Sequence, residues 1–356
     1  MNSARPAQLI DAFERQIAWC RQPAPFTAQV LQRSLQWLRA DADALTMFCA
    51  VAADPAAAAV PLRWAGALHH LALRGLQPWA RLWPPAADTA HADALDGAIQ
   101  GAWATRRADV QAALAKPPQT NEVQRSAALL PGLLFVSAHA GLPLSLLEIG
   151  ASAGLNLWPE RHRYDYGSWQ WGASSAALML RADWRGPAPE AALATRPLNI
   201  QCRAACDAAP IALLQPGEAL RLCSFIWSEQ SERLLRLKLA QNEVGAWMQA
   251  DNVAVQALPA ARFVERELAQ PRPGRATVLM HSVVWQYIAA AQQASILESL
   301  AAAGARATAT APLAWLRMEP PAPDQPMELR CRLWPGGHDH LLARAHPHAA
   351  WIEWYG

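Results

Sequence analysis

The pattern of apolar and polar positions divides the chain into two styles. Over residues 8–20 and 27–50 apolar side chains return at helical spacing (Leu9, Ile10, Phe13, Ile17; Val30, Leu31, Leu35, Leu38), and the alanine-rich run 56–74 continues in that way. Pro55, Pro61 and Pro78 punctuate these runs, so the spacing predicts a helical N-terminal domain over residues 1–118. Beyond Pro117-Pro118 short apolar runs alternate with longer helical ones. Strands are expected at 146–149, 220–227, 253–256, 276–280 and 314–319, and the chain closes in two more apolar runs, 328–333 and 350–354. Such alternation predicts an α/β domain over 119–356: a mostly parallel sheet covered on both faces, finishing in an antiparallel C-terminal strand pair. Residues 158–217 have poor periodicity and read as an insertion, with a hairpin about Gly167 in 164–172 and a candidate strand at 198–203.

The stretch Leu146-Leu147-Glu148-Ile149-Gly150-Ala151-Ser152-Ala153-Gly154-Leu155-Asn156-Leu157 is where chemistry is expected. A buried strand there breaks into small residues and is expected to resume as a helix. Glycine lets the chain turn tightly and lets a ligand approach, while a helix N-terminus offers unpaired N–H groups. Just upstream, Thr120 is expected to cap a helix whose first turns hold Asn121, Glu122 and Arg125, bordering the cleft. Tyr164, Asp165, Tyr166, Asp207 and Trp227 are candidates for an acceptor pocket, with core packing and loop bracing as the alternative. His69 and His70 are adjacent, point in different directions on a helix and make no metal pair.

Composition narrows the function class. Of 356 residues, 53% are apolar and 17% charged, so the chain can bury a large core; with a net charge of +2 and lysine only at 116 and 238, no nucleic-acid footprint is visible. The six cysteines are dispersed, and Cys202 and Cys206 match neither a zinc nor a redox spacing. No apolar leader and no run of membrane-spanning length is found. The expectation is a cytoplasmic protein that handles a small molecule, with no metal, membrane or nucleic-acid partner.

Two resemblances follow from these residues. Glu148-Ile149-Gly150-Ala151-Ser152-Ala153-Gly154 resembles the acidic strand end and Gly-x-x-x-Gly turn of class I S-adenosylmethionine-dependent methyltransferases. The resemblance implies a Rossmann-like fold and an S-adenosylmethionine site formed by Glu148, Gly150, Ala151, Ser152, Gly154 and Asn156. Glu229 would be the acid that ends the second strand, and Gln256-Ala257 stands where that family has Asp-Ala. The whole chain is also similar to bacterial domain-of-unknown-function family 2332, through Thr120-Asn121-Glu122 with Arg125, Tyr164-Asp165-Tyr166-Gly167, Trp227 to Gln230, His281-Ser282 and His348. Under the methyltransferase reading His281, at a strand end, is the candidate base. A rival chemistry reads Gly150 to Gly154 as the Gly-x-Ser-x-Gly elbow of a serine hydrolase, with Ser152 as nucleophile, His348 as base and Asp324 or Glu319 as acid. A third possibility is a methyltransferase-like domain that binds a ligand without turning it over.

Overall fold

The computed structural model describes residues 4–84, 92–322 and 324–356. It divides into two compact units, one of Met1–Thr120 with Leu214–Lys238, the other of Asn121–Leu213 with Leu239–Gly356.

The first unit is helical. Its helices include Ala4–Cys20, Pro25–Ala40, Ala42–Cys49, Val60–Leu73, Ala92–Thr105, Arg107–Ala115 and Pro216–Ser224. Tryptophan serves here as core: Trp37 stacks on Trp64 at 5.7 Å and Phe48 meets Trp64 edge-on at 5.2 Å. The one polar atom of the Trp64 ring is satisfied, since its N–H donates to Ser34 Oγ at 2.7 Å.

The strand expected at 220–227 is instead the end of the Pro216–Ser224 helix. A short apolar run does not distinguish the two states. Here Pro216 at the first helical position and the Glu218–Arg221 pair one turn apart favour the helix. Glu229 consequently ends no strand. Its Oε1 accepts from Thr27 N at 3.0 Å and its Oε2 from Thr27 Oγ1 at 2.9 Å. It thereby caps the Pro25–Ala40 helix, whose preceding residue, Ala24, has no side-chain acceptor. Trp227 packs edge-on against Trp19. His69 is buried and donates from Nδ1 to the Ser224 carbonyl, 3.2 Å away, and burial pushes its pKa down to about 4.

The second unit carries the sheet. In chain order its strands are β1 (Leu144–Ile149), β2 (Arg163–Asp165), β3 (Gln170–Trp171), β4 (Met179–Arg181), β5 (Asp183–Arg185) and β6 (Ile200–Asp207). They continue as β7 (Val255–Ala257), β8 (Ala276–Ser282), β9 (Leu313–Glu319), β10 (Met327–Trp334), β11 (His338–Ala345) and β12 (Trp351–Trp354). Among the described residues nine of these form one sheet in the order β5-β12-β11-β10-β9-β8-β1-β6-β7. From β7 through β9 all neighbours are parallel; β10, β11 and β12 follow antiparallel, and β5 pairs parallel with β12. The C-terminal part is thus three antiparallel strands rather than the expected pair. The charged and histidine-rich β11 hid its period of two, because Asp339 and His340, on opposite faces, are both polar: Asp339 pairs with Arg317 and Arg330, and His340 packs against Phe135.

β1 and β8 are buried along their whole length, as parallel strands covered on both faces must be. One cover is the Ser126–Ala140 helix, so close that a side chain at Gly132 would meet Leu316 Cδ1 at 2.7 Å. The other comprises the Ala260–Glu267 and Ala290–Arg306 helices, whose Phe263, Val264, Ile296 and Leu300 pack with Leu147, Leu279 and Trp315. Leu316 and Trp315 are consecutive on β9 and therefore point to opposite faces. The expected insertion holds the small sheet β3-β2-β4, the edge strand β5 and, where a strand was expected at 198–203, β6, which joins the large sheet between β1 and β7.

Candidate functional site

Strand order reverses at β1: the chain passes from β1 outward to β6 and β7, then returns to place β8 on the other side. In open parallel sheets ligands bind in the crevice that such a reversal leaves beyond the carboxyl ends of the strands. The bend 150–157 stands at that edge, and it is built differently from the expectation. No helix follows; the next regular turn is Pro159–Arg161. Residues 151–158 are all buried.

Most amides of the bend have partners within the protein. Ala151 N donates to Cys206 O, Gly154 N to Ala151 O and Leu157 N to Gly154 O. Ser152 N donates to Asp207 Oδ2 and Leu155 N to Asn121 Oδ1, both at 2.9 Å. Nor are the glycines open cradles. Gly150 has φ 66°, and a Cβ there would lie 2.2 Å from Val284 Cγ2; at Gly154, φ 76°, it would lie 2.8 Å from Met248 Cε and 3.0 Å from Val255 Cγ2. Both glycines admit a neighbouring side chain.

What the bend gathers is a set of buried polar groups. Asn121 and Glu122 precede the helix rather than lying in it: Glu122 Oε1 accepts from Gln124 N and starts a single 3-10 turn, Val123–Arg125. Thr120 is not the cap. Arg125 Nε donates to Pro347 O at 3.0 Å, which joins this turn to the loop before β12. Ser126 Oγ donates to Asn156 Oδ1 at 2.8 Å, and the Asn156 amide hydrogen-bonds Glu148. Glu148 Oε2 and Ser152 Oγ remain buried without hydrogen-bond partners.

Burial pushes the Glu148 carboxyl up to about 8, and the negative charge of Asp207 adds to this; Arg125 and Asn156 oppose it. At neutral pH Glu148 therefore keeps its proton. Asp207 ends β6 and spans the bend, Oδ2 on Ser152 N and Oδ1 on Ala209 N. It is thus Asp207, and not Glu229, that ends the strand beside β1. Next to it, burial pushes the Cys206 thiol up to about 12, which leaves that group protonated and inert.

The remaining predicted residues are placed elsewhere or tied down. His281 is fully committed: Nδ1 lies 2.7 Å from Glu319 Oε1, while Nε2 accepts from the Trp315 indole N–H at 3.0 Å. Nδ1 therefore carries the proton, and no lone pair is left for a base. Tyr164 and Tyr166 are core residues whose hydroxyls donate to the carbonyls of Pro159 and Ala127. Asp165 caps the turn at Gly167 N, and Gln256 Oε1 accepts from Arg266. Ser152 has the left-handed backbone of a nucleophile elbow, φ 54°, but its Oγ meets no histidine, and Glu319 serves His281 rather than His348. The triad is not assembled.

Sequence reasoning missed Ser126 and Val284. Ser126 lay in plain view beside Arg125, but only the fold brings it to Asn156; a valine after a strand carries no signal of its own. A cavity of about 330 Å³, lined by Val136, His139, Leu313 and Trp334 among others, lies at the amino ends of β8 and β9, the opposite edge from the acids. Among the described residues no cluster of metal-ligating side chains occurs and no helix is long and apolar enough to cross a membrane.

Fold and site together define an α/β protein with a large, mostly parallel sheet, a helical N-terminal region and a polar cluster at the point where strand order reverses. The chain belongs to the family described as uncharacterized protein conserved in bacteria (DUF2332), which it matches over residues 10–354. No curated protein and no solved structure matches it.

Proposed function

We propose that the chain is an S-adenosylmethionine-dependent methyltransferase acting on a small-molecule acceptor, with the cofactor at the carboxyl edge of β1 and β6. The observation that carries this reading is the convergence of two acids from adjacent parallel strands, Glu148 and Asp207, on one glycine-bearing bend where the strand order reverses. The acids fit such a group, since Glu148 Oε2 and Ser152 Oγ are buried polar atoms in want of a partner. The glycines fit it less, because Val284, Met248 and Val255 stand against them. Glu148, Ser152, Asn156 and Asp207 would hold the cofactor. That group brings its own reactive methyl, so the work left to the chain is binding, alignment and exclusion of water.

Calorimetric titration with S-adenosylmethionine and S-adenosylhomocysteine tests this directly. Binding by the wild type and its loss in Asp207→Ala support the reading; absence of binding by the wild type rejects it. A second reading, ligand binding without turnover, is favoured by the commitment of both His281 nitrogens. It is separated from the first by binding without methyl transfer across a panel of hydroxyl and amine acceptors.

A further inference from the structure

We propose that residues 283–288 form a strap that closes the crevice between the ends of β1 and β8, with Val284 in the space that Gly150 leaves vacant, and that this strap moves aside to admit a ligand to the bend. Only the identity of that ligand rests on the cofactor reading above.

Three observations at the strap point the same way. Val283 has φ 53°, a conformation that a β-branched residue adopts only under strain, so the closed arrangement is held against its backbone preference. Val284 Cγ2 stands 2.2 Å from where a Gly150 Cβ would be, a fit that any side chain at 150 would forbid. And one atom ties two consecutive amides: Glu319 Oε1 accepts from Val284 N at 3.0 Å, from Trp285 N at 3.3 Å and from His281 Nδ1 at 2.7 Å, while Val283 N before them donates to Met318 O at 3.0 Å. The other Glu319 oxygen is buried without a partner. Loss of one carboxylate contact therefore frees two consecutive amides together.

The flanks differ from the strap. β8 before it is wholly buried, whereas Gln286 and Tyr287 are exposed, Tyr287 by 77%. At the far end Gln293 Nε2 donates to the carbonyls of Trp285 and Ile288, which gives the strap a fixed hinge at the start of the Ala290–Arg306 helix. A half-exposed, strained segment between two rigid elements is the kind that opens independently of the whole.

Residue-resolved hydrogen exchange on the full chain tests the strap without any ligand. In the wild type the Val284 and Trp285 amides should exchange at least about tenfold faster than those of residues 279–281. Glu319→Gln should quicken them further, and Val283→Gly, which relieves the strain of the closed form, should slow them. Titration with S-adenosylhomocysteine should then show tighter binding by Val284→Ala and weaker binding by Val283→Gly. Exchange of the Val284 and Trp285 amides at the rate of residues 279–281, or no response to either substitution, overturns the strap. If the exchange pattern holds and no variant binds S-adenosylhomocysteine, the strap stands and the cofactor reading falls.

Discussion

Replacing Glu148 by glutamine should remove most of the stability that this protein loses between pH 6.5 and pH 8. The carboxyl is buried beside Asp207 and its pKa is pushed from the ordinary 4.5 to about 8. In the native state it holds its proton where the unfolded chain has released it, so stability falls as pH rises from the unfolded value and the loss is complete above the folded one. The two deeply buried histidines act in the opposite sense. Burial pushes His69 and His162 from 6.5 to about 4, and their contribution is whole well above pH 6.5 and lost as pH falls toward 4. Between 6.5 and 8 the histidines still gain a few tenths of a kcal/mol each, equally in wild type and variant, so the difference between the two profiles isolates Glu148. At about 1.4 kcal/mol per decade of proton activity the wild type should lose on the order of 2 kcal/mol relative to the variant across this interval. For a unit of this size that is about 4–8 °C in melting temperature. Glutamine keeps the shape of the protonated acid and its bond with Asn156, so the variant should show no such loss and rise slightly, by the histidines' remaining gain, over the same interval. Calorimetric melting or denaturant unfolding at half-unit pH steps reads both profiles. Parallel wild-type and variant curves, or a wild type that gains stability from 6.5 to 8, would refute the argument.

Other substitutions probe neighbouring parts of the reasoning. Asp207→Asn removes the negative charge that helps to raise Glu148, and should move the same pH-dependent loss to lower pH, read by the same melts. Gly150→Ala forces a Cβ onto Val284 at a backbone with φ 66°, and should destabilise the α/β unit by roughly 3 kcal/mol in urea unfolding. Adding Val284→Ala should recover part of that loss, and strict additivity of the two changes would show that the contact is not the cause. Glu229→Ala takes the acceptor from Thr27 N and should cost the helical unit about 1 kcal/mol by the same measurement. Below pH 6.5 the wild type should weaken as His162 and His69 are forced to charge, and His162→Phe should soften that decline.

Gly150 and Gly154 were legible as positions where the chain turns tightly, and the structure gives both a left-handed backbone. The physical use of the freedom differs: in place of an open cradle for a guest, it accommodates Val284 at one position and Met248 with Val255 at the other. The distant pairing of Asn121 with the Leu155 amide followed from no local pattern, yet the two segments singled out along the chain, 121–125 and 148–156, do meet. Glu229 was misplaced because an apolar run of eight residues satisfies strand and helix alike; Pro216 and the Glu218–Arg221 pair before and within it favour the helix, and the burial of Leu222 and Cys223 in the helical unit completes the choice.

Local regularity was therefore readable from the order of residues alone. Helical spacing marked residues 8–20, 27–50 and 56–74, continuous apolar runs marked β1, β8 and β9, and small residues marked the bend, since each rests on interactions within a few positions of the chain. Tertiary structure decided what is non-local: which strand lies beside β1, that Asp207 rather than Glu229 stands at its end, and that both nitrogens of His281 are already taken. It also decided that Glu148 keeps its proton, because a carboxyl's affinity for a proton is set by the desolvation and charges around it, and those neighbours come from segments far apart in sequence.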